Sequence, residues 1–372
     1  MIIGVPKEIK IQEYRVGLVP SSVRELVAHG HKVIVQHDVA IGIGVTDKCY
    51  EKAGAIISHS PEEIFNKAEM IVKVKEPQPI ECEMLREDQI LFTYLHLAPD
   101  SKQAAGLKSS GCVAIAYETV TDSFGKLPLL APMSEVAGRL SIQVGAHALE
   151  KKQGGSGILL GGVPGVSAGT VVIIGAGVVG TNAMLVAIGT GARAIILDKY
   201  MPRLQELDLI FGSRITTVYA TTDNIEKYIY EADLVVGAVL LPGAAAPKVI
   251  NKSMLHKMKP GSVLVDVSVD QGGCFETTRP TTHDNPTYIE ENIVHYCVAN
   301  MPGAVPRTST FALNNVTLPF VVSLADKGYK QALLEDQNLL NGLNVYKGQI
   351  TYKAVADALS CDYTPAMVAL TK

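Results

Sequence analysis

The sequence predicts an α/β fold of two Rossmann-like, doubly wound domains. The first is discontinuous in sequence, and the two are joined by long helices with a cleft between them. Three observations predict it. Short β-branched runs alternate with helix-patterned stretches in two successive series, as expected of parallel strands linked by helical crossovers. The second series opens on a strand, a glycine-spaced turn and an apolar helix. A chain of 372 residues is also long for one domain.

In the first series, residues 2–5, 33–35, 70–74, 90–97 and 113–116 read as strands, rich in Ile, Val, Phe and Tyr. Residues 21–29 suit a helix, with Ser22 as cap, Glu25 three residues on and Gly30 closing it. Pro61 opens another helix, which ends before Met70. Pro128 and Pro132 flank an apolar link, and residues 134–151 read as one long helix capped by Ser134. Residues 158–160 read as an additional strand. The second series runs strand 171–174, helix 178–188, strand 194–197, helix 202–210, strand 215–218, helix 224–230, then strands 234–238 and 262–267. Pro302 and Pro306 mark its end. A long helix is expected over 317–326 and short mixed elements over 330–372. The division is then a substrate and catalytic domain, 1–130 with 306–372, and a nucleotide-binding domain, 131–305.

Composition excludes several classes. The formal charge of −4, with no basic block, argues against nucleic acid or an anionic membrane surface as partner. Six scattered cysteines without a C-x-x-C pair fit free thiols in a reducing compartment, and neither a zinc site nor a disulfide framework is expected. The amino terminus lacks the pattern of a signal peptide, so a cytoplasmic location is expected. Residues 171–192 carry no charge and are long enough to span a bilayer. Five glycines and a β-branched start mark them instead as strand, turn and buried helix.

That turn carries the clearest chemistry. Gly175, Gly177 and Gly180 form G-x-G-x-x-G directly after a strand and at a helix start. Gly175 permits the tight turn, Gly177 lets backbone approach a pyrophosphate, and Gly180 lets helix and strand pack closely. Backbone N–H groups and the helix dipole then face the phosphates. Asp198 ends the following strand, at the offset of a ribose-binding acid. A carboxylate there accepts from the 2′-OH and repels a 2′-phosphate, which favours NAD over NADP, although Lys199 and Arg203 nearby weaken the repulsion. A Rossmann-like core without nucleotide is the competing reading.

Ligands of open α/β sheets sit beyond the carboxyl ends of strands. Arg15, Lys75, His96 and Glu118 lie there in the first series, and Asp270 in the second. Arg15 suits a carboxylate through its planar fork. Lys75 suits a carboxylate or a carbonyl, His96 can move a proton near neutral pH, and Asp270 can order a water or an ammonium. Each also has a plain structural reading. Lys75 could be a solvated strand-end lysine and His96 a surface or core histidine. Glu118 reads better as a structural or ion-pair residue. Asp266 competes with Asp270 but falls inside the strand, where a turn role is less natural.

These residues sit in longer motifs. They include Val5-Pro6-Lys7-Glu8-Ile9-Lys10, Arg15-Val16-Gly17-Leu18-Val19-Pro20, Val72-Lys73-Val74-Lys75-Glu76-Pro77, Leu91-Phe92-Thr93-Tyr94-Leu95-His96, Pro132-Met133-Ser134-Glu135-Val136-Ala137-Gly138-Arg139, Asp270-Gln271-Gly272-Gly273 and the segment 299–310. Through them the chain resembles, essentially end to end, the alanine dehydrogenase and nicotinamide nucleotide transhydrogenase family. The resemblance implies NAD-dependent, reversible oxidative deamination of L-alanine to pyruvate and ammonium. It implies substrate binding by Arg15 and Lys75 and catalysis by His96 and Asp270. It also implies an NAD site lined by Ser134, Val178, Val179, Asp198, Val239, Leu240, Val267, Ser268, Val269, Asp270, Arg279, Val298, Ala299, Asn300 and Met301. Arg203, counted with that site, stands where relatives often carry lysine. Ala220 stands where many carry serine, and is not carried over. A homo-oligomer, typically a hexamer, is implied as well. The alternatives are a soluble NAD-binding component of a transhydrogenase, an enzyme acting on a larger amino acid, and an NAD-sensing protein without turnover.

Overall fold

The computed structural model describes residues 1–239 and 246–371. The chain divides into two compact units, Met1–Pro132 with Val305–Lys372, and Met133–Ala304. The strands of the first unit's amino-terminal part are β1 (Ile2–Val5), β2 (Lys32–Gln36), β3 (Ile56–Ser58), β4 (Met70–Val72), β5 (Ile90–Thr93) and β6 (Val113–Ala116). The second unit holds β7 (Thr170–Ile174), β8 (Arg193–Asp198), β9 (Ile215–Tyr219), β10 (Leu234–Gly237), β11 (Val263–Asp266), β12 (Thr287–Glu290) and β13 (Ile293–Tyr296). After it come β14 (Leu343–Tyr346) and β15 (Gln349–Ile350), which return to the first unit.

The first sheet has the order β15-β14-β6-β5-β4-β1-β2-β3. Strands β1 to β6 pair in parallel, and β14 and β15 are antiparallel. The chain winds outward from β1 through β2 and β3, then resumes at β4 on β1's other side. The gap between β1 and β4 is therefore a topological switch point, where crossovers leave to opposite faces and open a crevice at the carboxyl ends. The second sheet, β12-β13-β11-β10-β7-β8-β9, repeats this logic with its switch point between β7 and β10. Both are Rossmann-like sheets. Their central strands are buried on both faces, as continuous β-branched runs require. In the first unit, Ile64, Phe65 and Leu107 pack over Ile71, Leu91 and Ala114. In the second, Ile225, Ile229 and Leu255 pack over Val172, Val235 and Leu264. Among the described residues no helix is long and apolar enough to cross a membrane.

Several elements depart from the sequence-based expectation. The first helix is Pro20–Ala28, with Pro20 in its first turn and no side-chain cap. Ser22 is not a cap; its hydroxyl donates to Asn314 Oδ1 at 3.1 Å. The helix expected at 134–151 spans Ala131–Ala148, so Ser134 lies within its first turn rather than capping it. Residues 158–160 form no strand, and the neighbouring pairing is a single bridge, Val163 to Val166. The helix expected at 317–326 is the second half of Pro306–Lys327. Pro306 read as a breaker, yet it occupies the first helical turn, where no intrahelical donor is needed; Pro319 is accommodated inside.

Two strands end early for one kind of reason. β4 stops at Val72 because the amides of Val74 and Lys75 turn to the Glu8 carboxylate, at 2.7 and 3.3 Å. β5 stops at Thr93 because the amides of Leu95 and His96 turn to Glu118. The β12–β13 hairpin escaped the sequence reading. Its two turn residues, Glu291 and Asn292, both take positive φ, 50° and 61°, the two-residue primed turn usually signalled by glycine.

Candidate functional site

In the second unit the carboxyl ends of β7, β8, β10 and β11 bring together the residues expected to hold a dinucleotide. Gly175 has φ of +104°, and a Cβ there would lie 2.4 Å from the Ala238 carbonyl oxygen. Gly180 is tighter still, since its Cβ would lie 1.8 Å from the Gly175 carbonyl oxygen. Around Gly177, by contrast, a Cβ would meet nothing within 4 Å. It would project into open space at the start of the helix Val178–Gly189, whose N-terminus no side chain caps. Open space in front of an uncapped helix N-terminus fits a pyrophosphate. Val178 is exposed there and Val179 half-buried.

Asp198 stands at the end of β8. Its Oδ2 accepts from the Ala176 amide at 2.6 Å and its Oδ1 from the Tyr200 amide at 2.8 Å. Arg203 braces the same turn. Its Nε donates to the Ala176 carbonyl at 2.9 Å, its Nη2 to Thr181 Oγ1 at 2.7 Å, and its Nη1 pairs with Glu206. These contacts are with the turn and its own helix.

Beyond β10 and β11, Ser268 Oγ donates to the Val239 carbonyl at 2.7 Å, joining two residues expected at the cofactor. Val267 donates its amide to the Gly237 carbonyl, Val269 is buried, and Asp270 is exposed on the single turn Val269–Gln271. Asp266 has the turn role judged unnatural for it from sequence. Fully buried, it accepts from the amides of Ser268 (2.9 Å) and Cys274 (2.8 Å) and from the Thr278 hydroxyl, so it sets the loop that presents Asp270. Arg279 lies 4.0 Å over the Tyr288 ring. Val298 and Met301 are buried, Ala299 and Asn300 half-buried, and Asn300 has φ of +64°. Ser134 lies one helical turn before Gly138, where a Cβ would meet the Val179 carbonyl at 2.2 Å. Leu240 lies outside the described residues.

In the first unit, loops after β1, β4 and β5 carry Arg15, Lys75 and His96. Arg15 is buried and forked onto Glu13, with Nε to Oε1 at 2.7 Å and Nη2 to Oε2 at 2.6 Å. Burial works against its charge, but the Glu13 hydrogen bonds and charge outweigh that and raise its pKa. Lys75 is half-buried, its carbonyl accepting from Thr93 Oγ1 at 2.9 Å, while the Tyr94 amide donates to Val74 O. The Lys75 and His96 segments therefore run side by side. His96 is exposed and stacks on Tyr94, with ring centroids 5.7 Å apart and planes 4° from parallel. Arg15 and Glu118 both act electrostatically on the buried Tyr94 phenol, whose pKa burial pushes far up.

A buried ion cluster lies beneath. Lys73 Nζ reaches Glu8 Oε2 at 3.0 Å and Glu81 Oε1 at 2.7 Å, all three side chains being nearly inaccessible. Burial lifts the Glu8 carboxyl above the usual carboxylate range, against the pull of Lys73. The sequence reading missed Glu8, Glu13, Lys73 and Glu81. One signal was present. Lys73 falls inside the apolar run 70–74, and a lysine in a strand covered on both faces needs a buried acid.

The Alanine dehydrogenase/PNT N-terminal domain model matches residues 4–137, and the C-terminal domain model residues 141–353. A curated alanine dehydrogenase of Halomonas elongata is 57% identical over 366 residues, covering 98% of this chain and 99% of the relative. A solved L-alanine dehydrogenase is 52% identical, covers 97% of this chain and 99% of its own, and superposes with a TM-score of 0.94. A solved transhydrogenase from Sinorhizobium meliloti shares the fold, with a TM-score of 0.81 at 20% identity over 95% of this chain and all of its own.

Proposed function

Because the chain belongs to the Alanine dehydrogenase/PNT family, we propose that it is an NAD-dependent oxidoreductase acting on the CH–NH2 group. Its reaction is the reversible oxidative deamination of L-alanine, with NAD and water, to pyruvate, ammonium, NADH and a proton. The observation that carries this reading is the gathering of Arg15, Lys75 and His96 on adjacent strand-end loops of one sheet, in a chain whose other sheet bears the Gly175–Gly180 turn and Asp198.

Bound NAD would be held by the 175–180 turn, Asp198, Val239 and the 267–270 and 298–301 segments, with Ser134, Arg203 and Arg279 contributing, and would supply the acceptor for the hydride on Cα of alanine. The chain's own residues do the rest. Arg15 and Lys75 hold the substrate carboxylate, and Lys75 also faces the oxygen that becomes the pyruvate carbonyl. His96 takes a proton from the substrate amine and later one from the water that attacks the imine carbon. Asp270 orders that water and the departing ammonium. Positioning of this kind supplies much of an enzyme's rate.

The test is NADH formation, followed by absorbance, with L-alanine, glycine and L-serine, for the wild type and His96→Ala. Turnover of L-alanine by wild type alone supports the reading, and wild-type turnover by His96→Ala overturns it. The same family reading gives a cytoplasmic homo-oligomer, a hexamer, which light scattering of the purified chain checks.

A further inference from the structure

We infer that Glu118 is the positioning residue for His96, an inference that rests on the reading of His96 as the proton carrier. His96 has φ of +48°, in the left-handed region that costs any L-residue other than glycine. Something must hold it there, and the structure shows what does. The Leu95 amide lies 3.2 Å from both Glu118 oxygens, and the His96 amide 2.6 Å from Oε1. Consecutive N–H groups converging on one anion are an efficient way to fix a reversed backbone.

The carboxylate itself comes from a rigid wall. It sits in the single turn Tyr117–Thr119, directly after β6. Tyr117 is fully buried, donates to the Lys73 carbonyl at 3.0 Å and meets Phe92 and Tyr94 edge-on at 4.4 and 5.1 Å. The imidazole is then fixed twice. Tyr94, anchored through its hydroxyl to the Leu129 carbonyl at 2.6 Å, sets the ring plane. Glu118 Oε1, 3.9 Å from Nδ1, marks the edge turned to the protein. Nε2, on the opposite edge, is the nitrogen presented outward, toward a substrate amine. Glu118 touches no reacting atom; it decides where His96 is.

Because one oxygen, Oε1, receives the His96 amide and shares the Leu95 amide, glutamine in place of glutamate keeps the brace and loses only the charge. Alanine loses both. In assays of the full chain, Glu118→Ala is expected to lower kcat about tenfold or more in both directions, as the left-handed backbone relaxes and the competent population falls. The KM for NAD should stay within about twofold, because the brace holds His96 and no cofactor residue. Glu118→Gln is expected to restore kcat to within about threefold of wild type. Wild-type kcat in Glu118→Ala overturns the inference, and so does a Glu118→Gln variant as slow as Glu118→Ala. If Glu118→Ala does not fold, Glu118→Gln decides alone, near wild type for the brace and below about a tenth of it against. A His96→Ala variant with wild-type turnover is a separate outcome, which removes the proposed function rather than the brace.

Discussion

Asp198 Oδ2 accepts the Ala176 amide at 2.6 Å, so the acid at the end of β8 is bonded to the middle of the glycine turn after β7. The carboxylate proposed to bind ribose thus also holds the turn; it has about four lone-pair sites and uses two of them within the protein. Asp198→Ala should raise the KM for NAD about tenfold to a hundredfold, the range for losing charge-assisted hydrogen bonds. Discrimination against NADP should fall with it, since the repelling charge is gone. Steady-state kinetics with both cofactors would refute this if the ratio of the two specificity constants stayed unchanged.

The second and third glycines of the turn should separate folding from binding. Gly177 has φ of −70° and open space at its Cβ, so Gly177→Ala should melt like wild type while weakening NAD binding about tenfold or more by crowding the phosphates. Gly180→Ala drives a methyl into the Gly175 carbonyl and should cost about 1–3 kcal/mol of stability as well as NAD binding. Thermal melts paired with NAD titrations test this, and equal melting temperatures for the two variants would count against it.

Lys73 should be the most sensitive residue of the buried ion cluster. Lys73→Met leaves Glu8 and Glu81 buried without their counter-ion and should cost about 3–5 kcal/mol. Glu8→Gln should be milder, because the amide keeps an oxygen for the Val74 and Lys75 N–H groups and Lys73 keeps Glu81 as counter-ion. Urea unfolding ranks the two, and a Lys73→Met protein within about 1 kcal/mol of wild type would contradict the assignment.

The surface cluster of His29, His31 and Asp326 should make stability depend on pH. Asp326 Oδ2 lies 2.9 Å from His29 Nδ1, and Oδ1 lies 2.7 Å from His31 Nε2. Asp326 raises the His29 pKa, first through the hydrogen bond and then through its charge. The His29 contribution is therefore full below about pH 6.5 and lost as pH rises through the raised value. His31 and His29 lower the Asp326 pKa, so that contribution is full above about pH 4 and lost as pH falls through the lowered value. The melting deficit of Asp326→Asn should accordingly peak between about pH 4 and 6.5, shrink by about pH 9, and shrink in about 1 M salt because the groups are exposed. A deficit flat across that range would sink the idea.

The parts legible in the sequence were those with a period or a fixed spacing. Strands β1 and β7 and the 175–198 unit were readable because burial on both faces demands uninterrupted apolar runs and a phosphate-binding turn demands glycines. What stayed hidden is tertiary. The early ends of β4 and β5 depend on carboxylates from distant loops, Glu8 and Glu118, which replace ladder partners that local pattern assumes. Asp266 was misjudged for a related reason, since its donors lie in residues 268–278, in a loop with no periodicity. The 291–292 turn lacks the glycine that would have announced it.

The return of β14 to pair with β6 has a consequence for biosynthesis. The edge of β6 away from β5 stays unpaired until residues 343–346 have been made. All strands of the second unit, by contrast, are complete by residue 296. On a ribosome adding residues from the amino end, the inserted unit can finish first, while the unit that began earlier waits with a bare strand edge. Chains truncated shortly after residue 305 would keep the nucleotide turn and its acid, and would expose Val113 to Ala116 to intermolecular pairing. Aggregation, rather than loss of the nucleotide cradle, is then the characteristic failure of a prematurely terminated copy.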